Sequence, residues 1–292
     1  MEGSMTKLGT ALKSAAFGAL ALGAMSGGAY AGSTTEPGVT LGGAPGAGVP
    51  EGVYFIDNFN WGNDRASTHD QLGIEVPLLL WATPYHILGG QLILAGTVPL
   101  VYSDVNGLPL PPQEFAAFGN VGASLAWSLG GGFHISQTFD IYTPGIASNE
   151  QWVPEWRTGI SYLGGGWNLS ANIIVGFGTS SIVPSLFPKQ NDYVNVDLAA
   201  IKTLGKWQLG VVAFGSSDTN VTGANITTGK QSQFAVGGLV GYEWGPVNTQ
   251  VYYTHDVDVQ HYGPSGSKGV EDSRIWTSLV VPLWTAPHES YK

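Results

Sequence analysis

The chain contains no cysteine in 292 residues, which excludes disulfide scaffolds and thiolate-held metals or clusters. Charge is scarce as well: 11% of residues are charged, less than half of the roughly 25% usual in soluble domains. A hydrophobic share of 43% with so little charge excludes a disordered chain. Basic residues are the rarer sign, 11 Lys and Arg against 21 Asp and Glu, so no cationic footprint exists for nucleic-acid phosphates. Long apolar runs are missing too. Residues 72–101 come nearest to the about 20 residues of a helical span, but Glu75, Pro77, Pro84, His86, Gln91 and Pro99 cut them. What is plentiful is glycine, at 43 residues about twice the usual share, and aromatics at 11%.

Lys7 and Lys13 precede an uncharged apolar run at 15–25, followed by Ser26, two glycines and Ala29-Tyr30-Ala31. A basic start, a short apolar core and an A-x-A end make a secretory signal peptide, whether translation starts at Met1 or Met5. Residues 32–52, with Pro37, Pro45 and Pro50 among many glycines, are too irregular for a helix or strand. They are expected to be a periplasmic lead, or a plug inside the domain C-terminal to them. The predicted division is a signal peptide at 1–31, this lead at 32–52, a barrel at 53–284 and a C-terminal tail at 285–292.

The remainder alternates with period two. In 167–178, Trp167, Leu169, Ala171, Ile173, Val175 and Phe177 share one face, opposite Asn168, Ser170 and Asn172. Twelve such segments fall near 53–60, 73–82, 86–102, 119–129, 133–143, 155–163, 167–178, 192–203, 207–217, 233–244, 247–259 and 274–284. Connections after even-numbered segments are short: Thr83-Pro84-Tyr85, Gly130-Gly131-Gly132, Gly164-Gly165-Gly166, Leu204-Gly205-Lys206 and Gly245-Pro246. Those after odd-numbered segments are longer and polar. Aromatics such as Trp81, Trp156, Trp167, Trp207 and Trp284 gather at segment ends, where membrane girdles sit. The pattern predicts an all-β fold, a transmembrane antiparallel up-and-down β-barrel of about 12 strands in the outer membrane of a Gram-negative bacterium, with both termini periplasmic. Outer-membrane lipid and the barrel assembly machinery are the partners this implies.

Twelve strands about 4.8 Å apart and tilted about 40° enclose a bore of roughly 10 Å once side chains point inward. Parity places Glu75, Asp140, Arg157, Asp197, Glu243, Asp256 and Asp258 on the lumen face, with Tyr193 and Tyr252 as aromatic contacts. Acidic groups dominate, which disfavours anionic solutes. No catalytic or metal site is expected: His255 and His261 fall on one face, Asp256 and Asp258 on the other. No cofactor is required.

Several short motifs then occur in order: Pro50-Glu51-Gly52-Val53-Tyr54, Gly119-Asn120-Val121-Gly122 with Trp127, and Thr143-Pro144-Gly145. Asn149 with Trp152 and Pro154, Asp192-Tyr193 with Asp197, and Trp207-Gln208-Leu209-Gly210 with Asp218 complete the series. Together they resemble the meta-pathway phenol-degradation family of outer-membrane proteins. The resemblance implies a channel for small hydrophobic or aromatic compounds. Alternatives are a structural or adhesive barrel with a closed lumen, and a narrow cation-preferring diffusion porin. Mass spectrometry of the protein from outer membranes is expected to find Gly32 as its first residue; retention of residues 1–31 would refute the export signal.

Overall fold

In this computed structural model the described residues are 33–64, 71–104, 113–116, 119–145, 150–184, 189–221, 230–260 and 271–287. They form one antiparallel sheet of fourteen strands. In chain order these are β1 (Gly52–Asp64), β2 (Gln71–Ile87), β3 (Gly90–Thr97), β4 (Leu100–Asp104), β5 (Gln113–Ala116), β6 (Asn120–Gly130) and β7 (Phe133–Tyr142). The chain continues through β8 (Val153–Gly164), β9 (Trp167–Gly176), β10 (Tyr193–Leu204), β11 (Trp207–Asp218), β12 (Ser232–Glu243), β13 (Asn248–Gln260) and β14 (Asp272–Thr285). β1 pairs with both β2 and β14, so the sheet closes on itself.

Twelve wall positions hold these strands. β3 pairs with the 78–87 part of β2 and β4 with its 71–75 part, so the two are one wall strand broken at Val98-Pro99. Pro77 lies opposite the break, and neither proline has an N–H for the ladder. β5 pairs only with β4.

The hairpin after β2 differs from the sequence expectation. Thr83-Pro84-Tyr85 lies within β2, as a bulge opposite β3, and the turn is Leu88-Gly89. Both turn residues have positive φ, 53° and 79°, the geometry of a two-residue hairpin that matches strand twist. The Thr83 hydroxyl donates to the Leu92 carbonyl (2.7 Å) and accepts from the Tyr85 N–H (3.2 Å), bridging the ladder beside Pro84.

Outward side chains are apolar and exposed around the ring, among them Leu79, Val121, Ile160, Leu169, Ile173, Val211, Val236 and Val251. A soluble monomer does not expose so continuous an apolar surface, whereas a barrel in lipid requires it. Rings mark both rims: Tyr242 contacts Trp207 and Trp244 at the short-turn end, and Trp61–Tyr102 and Phe139–Trp156 lie toward the other end. Wall strands of mostly ten to thirteen residues rise about 25 Å when tilted.

Two carboxylates break the apolar band. Asp57 stands opposite Pro77 and Leu279, and Glu75 opposite Phe59 and Leu100, all on the outer face. Lipid-facing charge is destabilising, and Asp57 Oδ1 is buried without a hydrogen-bond partner. The double variant Asp57→Asn/Glu75→Gln is therefore expected to resist urea better by about 1 kcal/mol in liposomes, read from tryptophan fluorescence. Unchanged or lower stability would show that these groups do not face lipid.

Candidate lumen site and its N-terminal occupant

Residues 33–51 lie inside the barrel. They run from the long-loop end, where Thr34 donates to Gln190, to the short-turn end, where the Glu51 carbonyl accepts from the Ala286 N–H. The described N-terminal end is therefore at the rim opposite to the periplasmic position expected of both termini. Prolines at 37 and 45 and glycines at 38 and 42 (φ 91° and 83°) fold the segment into consecutive tight turns rather than a strand.

Such a segment leaves many backbone groups unpaired, and inward side chains take them up. Near the long-loop end the Thr35 hydroxyl donates to fully buried Glu155 (2.7 Å), which also accepts from Tyr193 OH and from Arg157 Nη2 (2.8 Å). Arg157 Nε lies 2.6 Å from Asp140, and the Asn195 amide donates to the Thr35 carbonyl. A second knot joins Arg274 to Asp272 (2.7 Å), Asn60 (2.6 Å) and Glu36 (3.8 Å). Asp197 accepts from Gly38 N–H (2.9 Å), Thr40 N–H (3.1 Å) and the Thr40 hydroxyl (2.5 Å).

Lower in the lumen, Gln250 donates to the Gly42 carbonyl, Asn168 to Gly43, Ser136 to Pro45 and Gln91 to Val49, while Ser161 accepts from Gly46. The approach is close enough to require glycine on both sides. A Cβ on Gly159 would lie 2.5 Å from the Pro45 carbonyl, and one on Gly46 2.6 Å from the Ser161 nitrogen.

Polar and apolar groups share the inner wall. β7–β9 present Ser136, Asp140, Glu155, Arg157, Ser161 and Asn168, and Asp197, Gln250 and Arg274 add polar groups on β10, β13 and β14. On β10–β14, Leu41 packs against Ile201, Val212, Phe214, Ala235, Leu239, Tyr252 and Trp276. On β1–β2, inward-facing Ile56, Val76, Leu78 and Leu80 are only partly buried and form an apolar strip on the inner face.

Asp140, Arg157, Asp197, Glu243, Asp256, Tyr193 and Tyr252 lie on the inner face. Asp140, Arg157 and Tyr193 share the Glu155 knot; Glu243 accepts from Gln208; Asp256 accepts from Gln233 and from the Asp272 N–H. Two expectations are corrected. Glu75 faces outward because β2 is apolar on both faces, with Leu72, Ile74 and Val76 inward, so hydrophobicity there carries no parity. Asp258 is exposed and shares the outer face with Phe234, because a β-bulge near Phe234–Ala235 shifts the register after Asp256. Sequence reasoning missed Glu155, which period two places with Arg157, and Arg274, a second inward cation.

His255 stands on the outer face with Ser273 Oγ 2.9 Å from Nδ1 and Glu271 3.9 Å from Nε2. Glu271 is beyond hydrogen-bond range of the ring, and Ser273 sits in a regular ladder instead of on an exposed elbow. His261 lies outside the described residues.

A closed antiparallel barrel with a lipid-facing apolar band defines an outer-membrane barrel protein. A crystal structure of an outer membrane channel from Pseudomonas putida F1 is similar, with a TM-score of 0.59 and 12% identity over 81% of this chain and 97% of that one. The KdgM porin aligns at a TM-score of 0.44 and 11% identity, over 80% and 99% of the two chains. No curated protein matches the sequence. Residues 57–269 match the family described as "Putative MetA-pathway of phenol degradation", and the chain belongs to that family.

Removing the Arg157 guanidinium would leave Asp140 and Glu155 buried without their shared cation. Arg157→Met is expected to destabilise the folded barrel by about 3 kcal/mol in urea titrations followed by its heat-modifiable gel mobility. A loss below about 1 kcal/mol would show that water replaces the pair.

Proposed function

We propose that this protein is an outer-membrane channel for passive uptake of small hydrophobic or aromatic molecules. The observation that carries the reading is the inward apolar strip of β1–β2, with Ile56, Val76, Leu78 and Leu80 partly exposed inside the lumen. A barrel that only anchors itself or conducts ions has no use for greasy inner walls, whereas an apolar solute does. Membership of a family linked to phenol degradation, and likeness to an outer membrane channel, agree with it. The reading includes removal of residues 1–31 as an export signal, insertion of the wall by the barrel assembly machinery, and residues 32–52 as a plug. It assigns no catalysis.

The Arg157–Asp140–Glu155 network favours a second reading, a structural barrel whose lumen stays shut. Ionic current through the purified mature protein in a planar bilayer under a salt gradient separates the two. A small, cation-selective current that grows several-fold when residues 32–50 are deleted is the expected result, since the inner wall is acidic. Silence from both forms, each shown to be a folded barrel by gel mobility, would establish the closed structural role.

A further inference from the structure

The wall that covers Leu41 is aromatic at its centre. Tyr252 stacks on Trp276 with centroids 5.5 Å apart and planes 11° from parallel, and Phe214 meets Trp276 edge-on at 6.2 Å. Trp276 donates its Nε1–H to Thr254 (2.8 Å), so its polar edge is satisfied. The Tyr252 hydroxyl is not: the residue is 1% exposed and its oxygen is buried without a hydrogen-bond partner. Burying a hydroxyl unpaired is unfavourable, and phenylalanine would stack there without that penalty. A donor beside an apolar ring surface is therefore the feature that packing does not explain.

What covers this surface is the chain's own Leu41, 3% exposed. A turn closed by the Leu41 N–H on the Gly38 carbonyl (3.1 Å) carries it. Gly38 lets the backbone lie on the rings, since a Cβ there would meet Phe214 Cδ1 at 2.8 Å and Trp276 Cη2 at 3.3 Å. Leu41 is aliphatic and offers the Tyr252 hydroxyl nothing.

We propose that Phe214, Tyr252 and Trp276 form a binding subsite for a small neutral aromatic alcohol, and that Leu41 occupies it in the resting barrel. The solute replaces Leu41, laying its ring on Trp276 while its hydroxyl oxygen accepts from Tyr252. This deepens the channel reading above and rests on it. The exchange is sterically reasonable, because a cavity of leucine scale lined by apolar side chains takes up a benzene ring. Only the turn at 38–42 has to leave, through release of its bonds to Asp197, Asn172 and Gln250. Tyr252 then determines specificity, since a hydroxylated ring gains a hydrogen bond that a bare ring of the same size does not.

Titration calorimetry with phenol and toluene on the folded, detergent-solubilised mature chain tests this. Leu41→Ala is expected to bind phenol at least tenfold more tightly than the unsubstituted protein, and to prefer phenol over toluene by about five- to tenfold. Adding Tyr252→Phe is expected to abolish that preference while toluene still binds. Should Leu41→Ala not give a folded barrel, Leu41→Val is expected to show the same effects with a smaller gain. Unchanged phenol affinity on shortening Leu41, or a preference that survives Tyr252→Phe, overturns the subsite. Planar-bilayer current from the same preparations keeps the ideas apart. Open current with no phenol preference removes the subsite alone, and silence of every form removes the channel reading.

Discussion

Backbone hydrogen bonding in a solvent without water is the constraint on which the structure depends. Each N–H and C=O in the wall must find a neighbouring strand, and the ladder between β1 and β14 is what removes the last open edge. Once the ring closes, side-chain direction is fixed to two choices, lipid or lumen. The apolar outer band, the aromatic rims and the mixed inner face all arise from that single restriction. Departures cluster where proline interrupts it: at Pro77 and Pro99 the third wall strand breaks in two, and beside Pro84 the Thr83 hydroxyl bridges the ladder.

Inside, the same need for partners recurs in a different form. The turn-rich segment at 33–51 cannot satisfy its own backbone, so the lumen has to. Asp197, Gln250, Asn168, Ser136, Ser161 and Gln91 each meet one or more of its groups. Glycine is the counterpart on both surfaces, at Gly46 and Gly159, because the backbone approaches the wall too closely for any side chain. The two inward arginines are thereby committed to buried carboxylates. Arg157 is neutralised by Asp140 and Glu155, and Arg274 lies between Asp272 and Glu36.

Much of this is legible in the sequence because period two is a strong signal wherever one face is apolar and the other polar. β9 and the first half of β13 read correctly residue by residue. The signal fails where its premise fails. β2 is apolar on both faces, so Glu75 carries no information about which way it points. In β13 the bulge after Asp256 adds a residue, and Asp258 faces away from Asp256. The turn after β2 is misplaced by sequence because Thr-Pro-Tyr carries stronger local turn chemistry than Leu88-Gly89, and only the pairing with β3 decides between them. Glu155 is readable by parity from Arg157. Arg274 is readable in the same way from Trp276, two residues on, which shares its face. The contacts between the Gly/Pro-rich segment and the wall are not readable, because irregular chain has no period that fixes its partners.

The apolar cluster around Leu41 bears on how a filled barrel could still pass solutes. A segment held along its whole length by charged or amide groups would leave only as a unit, against many bonds at once. Here the charged knots around Glu155 and Arg274 lie near the long-loop end, while the Leu41 side chain meets the wall through apolar contact and the turn that carries it is held by Asp197, Asn172 and Gln250. Apolar contact is non-directional, so a solute of similar bulk can substitute for Leu41 with little loss, whereas the Glu155 knot tolerates no substitute for its cation. Local opening at the turn releases its bonds to Asp197, Asn172 and Gln250 and leaves both charged knots intact.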